Sequence, residues 1–93
     1  MVRVDHVGRV DLAADHCLEL TDYCSAPNGV SNLRFLGPKG EQLWQAELGD
    51  SHAGHYVAFE IDGDGRIFAW SFDGYMVQLD RETGKILSSL FTK

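Results

Sequence analysis

The stretch YVAFEIDGDGRIFAWSFDGYMVQLDRETGKILSSL, residues 56–90, decides the fold. Apolar, aromatic and β-branched residues fill four short runs: Tyr56–Ile61, Arg66–Phe72, Tyr75–Asp80 and Lys85–Leu90. Such side chains suit a pleated, half-buried surface. Between the runs lie Asp62-Gly63-Asp64-Gly65, Asp73-Gly74 and Arg81-Glu82-Thr83-Gly84. Glycine reaches positive φ in a tight turn, and aspartate hydrogen-bonds its own backbone there, so each connector predicts a reversal of the chain. The stretch therefore reads as four consecutive antiparallel strands. Its second run carries Phe68, Trp70 and Phe72 on one face and Ile67 and Ala69 on the other. Apolar residues on both faces predict a central strand covered on both sides.

Working outward, period-two alternation recurs in Val2–Val7, Arg9–Leu12 and Cys17–Thr21, with a helical turn open to Leu12–His16. Ser25-Ala26-Pro27-Asn28-Gly29 is a turn cluster. Asn32–Leu36, the turn Gly37-Pro38-Lys39-Gly40 and Gln42–Leu48 predict a hairpin, and Gly49–Gly54 a loop. No window of ten or more residues carries a 3.6-residue period. The expectation is a single all-β domain over residues 1–93: an antiparallel meander of about seven to eight strands folded into a small sheet or sandwich. Trp44, Phe68, Leu79 and Ile86 are the expected core.

An internal repeat is also legible. At an offset of 84 − 40 = 44 residues, Gly40-Glu41-Gln42-Leu43 falls on Gly84-Lys85-Ile86-Leu87, Leu33 on Val77 and Phe35 on Leu79. Four strands at such a period are what propeller blades show, and the two units would be residues 1–48 and 49–93. The segment Gly74–Leu87, with Leu79-Asp80 and Thr83-Gly84 around two intervening residues, resembles the blade repeat of pyrroloquinoline-quinone-type β-propellers. Gly65–Trp70 resembles the strand before it. The copy at Leu33–Trp44 keeps Gly40 and Leu43-Trp44 but has Leu36-Gly37 in place of Leu-Asp. The resemblance implies two blade-like hairpin units. It does not imply the family's cofactor, whose ligands this chain does not provide. Propellers close with roughly four to eight blades. Two leave open sheet edges, which invite association into a homo-oligomer.

Fourteen acidic against eight basic side chains give a net charge of −6. That field repels nucleic acid and anionic lipid and favours a basic partner. The start, Met1–His6, lacks the apolar run of a secretory signal, and no segment reaches spanning length, so a cytoplasmic, membrane-free protein is expected. In that compartment Cys17 and Cys24 are expected to be free thiols.

The residues assemble no recognisable catalytic set, so the expectation is that the protein is not an enzyme. Read as a calcium loop, the segment starting at Asp62 puts Arg66 at the fifth position and Asp73 at the twelfth, where oxygen ligands and a glutamate belong. His52 and His55, with His6, His16, Cys17 and Cys24, lack the paired spacing of a zinc site. No metal and no cofactor are expected. What remains is binding. Alternate turns of a meander share an end, so Asp62, Asp64 and Glu82 should gather there. With Tyr56 and Tyr75 as aromatic anchors, they form the expected contact set for a basic protein partner. A toxin neutralised by its immunity protein is one such pairing. Assembly of several copies through sheet edges is the second expectation.

Overall fold

The computed structural model describes residues 2–22, 31–48, 55–72 and 74–91. They form nine strands: β1 (Val2–Asp5), β2 (Gly8–Asp11), β3 (Cys17–Leu20), β4 (Leu33–Leu36), β5 (Gln42–Gln45), β6 (Tyr56–Ile61), β7 (Ile67–Ser71), β8 (Tyr75–Leu79) and β9 (Ile86–Phe91). The protein is all-β, with more strands than the seven or eight expected. The turn foreseen near Leu12–His16 is a tight turn, Ala13–Asp15, with Ala14 and Asp15 in left-handed rather than helical backbone. The turn cluster at Ser25–Gly29, Cys24, the Gly49–Gly54 loop and Asp73 lie outside the described residues.

Every strand pairing is antiparallel. One sheet has the order β1-β6-β7-β8-β9, the other β2-β3-β4-β5. Each therefore contains a four-strand meander, and the N-terminal strand closes one edge of the larger sheet by pairing Val4 with Phe59. Leu33 and Val77 lie in the third strand of their respective meanders. The glycines that follow those strands adopt the same left-handed backbone, Gly40 at φ 78° and Gly84 at φ 74°.

The inward faces of both sheets share one hydrophobic core. Leu18, Leu20, Leu33, Trp44 and Ala46 come from one side; Tyr56, Phe59, Ile61, Ile67, Ala69, Val77 and Leu79 come from the other. Buried polar chemistry joins the layers at Asn32, which is 1% exposed. Its Nδ2 donates to the carbonyls of Thr21 (2.8 Å) and Tyr56 (2.7 Å), and its Oδ1 accepts the Tyr56 N–H at 2.9 Å. A second junction forms where Trp44 Nε1 donates to the Arg81 carbonyl at 2.9 Å. Gly84 lies against that indole, where a Cβ would stand 2.8 Å from the Gln45 carbonyl oxygen as well.

The expected core is corrected at two positions. Trp44 and Leu79 are buried, but Ile86 is only half-buried, because β9 is an edge strand. Phe68 is also half-buried and sits on the outer face. β7 is central in its sheet but covered on one face only. Ile67, Ala69 and Ser71 point into the core, whereas Phe68 and Trp70 point away and Phe72 is 53% exposed. No second layer lies over that outer face among the described residues. Instead the Arg3 guanidinium stacks over Trp70 at 4.3 Å and that of Arg66 lies 5.9 Å from the Phe68 ring.

Candidate functional site

The β6–β7 and β8–β9 turns do meet at one end of the larger sheet, where Arg81 Nη1 donates to the Gly65 carbonyl at 3.3 Å. Asp62, Asp64 and Glu82 are thus at the same end. Their charges, however, are not left to act alone. Asp62 Oδ1 accepts the N–H groups of Asp64 and Arg66, both at 2.9 Å, and Oδ2 pairs with Arg66 Nε at 2.6 Å. Asp64 reaches the same guanidinium at 3.4 Å. Partial burial opposes the charge on Asp62. The Arg66 N–H, the Arg66 guanidinium and the Asp64 N–H outweigh that penalty and hold its carboxyl below the usual value. The end is a mixed-charge cluster, with Glu82 exposed at its rim.

The two tyrosines are elsewhere. Tyr56 is 1% exposed and its hydroxyl donates to the Glu47 carbonyl, so it is a core residue and cannot serve as a surface anchor. The sequence reading failed here because the inward parity of β6 is set by its packing on the second sheet. Tyr75 is half-buried at the opposite end from the acidic turns, against the Phe91 ring at 5.0 Å.

Phe91 ends the most exposed apolar strand of the molecule's described part. Among the described residues β9 has no neighbour on its outer side, and Leu87, Leu90 and Phe91 are 59%, 59% and 55% exposed. Its six residues, Ile-Leu-Ser-Ser-Leu-Phe, include no charge and no proline. The other edges are defended in the usual ways. β1 carries the Arg3–Asp5 ion pair and β2 the Arg9–Asp11 pair. β5 is four residues long with a glutamine at each end. On β9 the first amide is capped by Glu47 Oε1, 2.9 Å from the Ile86 nitrogen. On the outer face Leu90 stands opposite Met76, and Met76 opposite Trp70, so an apolar row runs inward from that edge.

A concavity lies between the sheets. It has a volume of about 430 Å³ and is lined by Ala13, Ala14, His16, Phe35, Leu43, Trp44, Arg81 and Glu82. Three of these stack nearly parallel: His16 on Phe35 at 5.3 Å and Phe35 on Trp44 at 5.2 Å. The sequence reading missed this group. Phe35 opposite Trp44 was available from the predicted hairpin, but the place of His16 depends on the β3–β4 register.

A family model covers residues 16–91, which takes in β3 to β9. The chain belongs to that family, described as a domain of unknown function, DUF7957. The family segment contains the whole of β9, the three stacked rings and the mixed-charge turns, while β1, β2 and the Ala13–Ala14 wall precede it. No curated protein and no solved structure matches the chain.

Among the described residues no three His, Cys, Asp or Glu side chains gather as a metal site would require, and Cys17 is a buried free thiol. No helix there is long and apolar enough to cross a membrane.

Proposed function

We propose that the protein is a non-catalytic binding module of the cytoplasm that captures a basic protein partner by accepting one of its strands along β9. Neutralising a cationic toxin, in the manner of an immunity protein, is one use of such capture. The observation that carries this reading is the exposed edge: an uncharged six-residue strand, bulged at Leu87, with three large apolar side chains over half exposed. Strand addition gives affinity through main-chain hydrogen bonds and selectivity through alternate side chains. The net charge of −6 supplies the complementarity that selects a cationic chain and speeds its encounter. In this reading Tyr75, Leu87, Leu90 and Phe91 make the desolvated contacts. Asp62, Asp64 and Glu82 contribute to the long-range field from the end at which β9 begins.

A second reading uses the same edge for copies of the chain, completing a larger sheet or a propeller-like ring. The absence of charge on β9 favours it, because two copies would meet there without local repulsion. A fluorescent extended peptide of alternating lysine and valine separates the two. Under the first reading it binds the monomeric full chain, weakens with salt, and loses affinity to Leu90→Lys, which charges the edge. Sedimentation of the pure chain across a wide concentration range tests the second, which requires a closed oligomer that Leu90→Lys dissolves. A peptide that binds both chains equally, at all salt concentrations, overturns the first.

A further inference from the structure

The groove walled by His16, Phe35 and Trp44 is distinct from the β9 edge, and nothing above gives it an occupant. We infer that it is a binding site for a small, planar, uncharged heteroaromatic ring bearing both N–H donors and a carbonyl acceptor, the chemistry of a purine lactam.

Size comes first: about 430 Å³ lies within the range of sites that enclose small ligands. The wall then selects shape. Rings inclined by only 17° and 18° to one another form a column of π surfaces. A planar ligand extends such a column with its own offset stacking.

The rim selects polarity. Arg81 spends one donor on the Gly65 carbonyl and forms no ion pair among the described residues, so the other guanidinium donors are open to a carbonyl or ring-nitrogen acceptor. Glu82 beside it offers only acceptors. His16 Nδ1 lies 3.3 Å from the Ala13 carbonyl oxygen, an acceptor, so Nδ1 must donate. Nε2 is then the ring nitrogen that Ala13 does not engage. A guanidinium and a carboxylate on neighbouring residues fit a ring whose edge carries the complementary acceptor and donor. The net charge of −6 opposes a ligand bearing phosphate, which is why the ring is uncharged.

The site is also built to hold its shape. The Trp44–Arg81 hydrogen bond and the close seat of Gly84 on the indole clamp the wall from one sheet to the rim from the other. On the opposite side Ala14 and Asp15 both hold φ 60°, a left-handed conformation that non-glycine residues rarely adopt. Backbone held in this way concentrates at ligand sites.

The test titrates the isotopically labelled full chain with guanosine and follows the two indole N–H signals. The expected result is a saturable shift of the Trp44 signal below millimolar concentration, with the Trp70 signal unmoved. Arg81→Gln and Glu82→Gln, each checked for a native amide spectrum, should weaken binding by about tenfold or more, because the first removes the guanidinium fork and the second turns one of two carboxylate acceptors into a donor. Should Arg81→Gln unsettle the Gly65 turn, Glu82→Gln alone decides the point. Guanosine monophosphate should bind more weakly than guanosine, and indole, which has no carbonyl, should bind weakly or not at all. No saturable shift at millimolar guanosine overturns the proposal. So does equal binding of indole and guanosine, which would leave an unselective apolar cleft.

Discussion

Asn32→Ala probes the joint on which the two sheets depend. The side chain is 1% exposed and makes three hydrogen bonds of 2.7–2.9 Å, two of them to the backbone of Tyr56 at the start of β6. Alanine takes away the Asn32 acceptor of the buried Tyr56 N–H, at a cost of about 1–3 kcal/mol. The carbonyls of Thr21 and Tyr56 each lose a neutral bond worth roughly 0.5–1.5 kcal/mol. Together these give about 2–6 kcal/mol of destabilisation, towards the lower end where the site relaxes. A 93-residue domain at ~0.05–0.15 kcal/mol per residue has roughly 5–14 kcal/mol in total. The variant should therefore unfold at a much lower urea concentration, by tryptophan fluorescence and circular dichroism alike.

Asn32→Asp is the sharper control. It keeps the acceptor for Tyr56 but turns a carboxylate oxygen toward two carbonyls. Folding then favours the protonated acid and raises its pKa above the unfolded value of about 3.9. The variant's relative stability is present below that unfolded value and lost as pH rises through the folded one, so its deficit should shrink on acidification. A loss below about 1 kcal/mol for Asn32→Ala would refute the reasoning.

Three further outcomes follow from the geometry. Gly84→Ala should destabilise by about 2–4 kcal/mol, combining left-handed strain with a clash against Trp44 and the Gln45 carbonyl; urea unfolding measures it. Leu79→Ala, at 2% exposure, should cost about 2–5 kcal/mol in the same assay. Asp62→Asn should lower thermal stability at neutral pH. Because the folded-state pKa of Asp62 is depressed, the contribution of its charge is present above the unfolded value and lost as pH falls through the folded one, so the deficit should narrow in acid.

Strand content was legible because turn chemistry and hydrophobic alternation agreed at each connector. Tyr56–Ile61 matches β6 residue for residue, and β7, β8 and β9 differ from expectation by a residue at their ends. The layering was not legible. Ile67 and Phe68 look alike as apolar neighbours, and only the position of the second sheet decides which one is buried. The same holds for Tyr56, whose aromatic ring could anchor a partner or fill a core with equal sequence support. Which edge stays open depends on where β1 goes. By joining β6 it leaves β9 bare, and no local pattern in Val2–Asp5 specifies that long-range pairing. The groove, too, is a tertiary product, joining residues 13, 14, 16, 35, 43–44 and 81–82.

The central claim concerns the free edge of β9, and residue-resolved amide hydrogen exchange tests it most directly. The full chain is measured alone and with the lysine–valine peptide, at low and high salt, beside Leu90→Lys. Strand addition along β9 predicts new protection concentrated at Leu87–Phe91, reduced by salt and absent in the variant. Unchanged exchange along that strand, or protection confined to other strands, would contradict it.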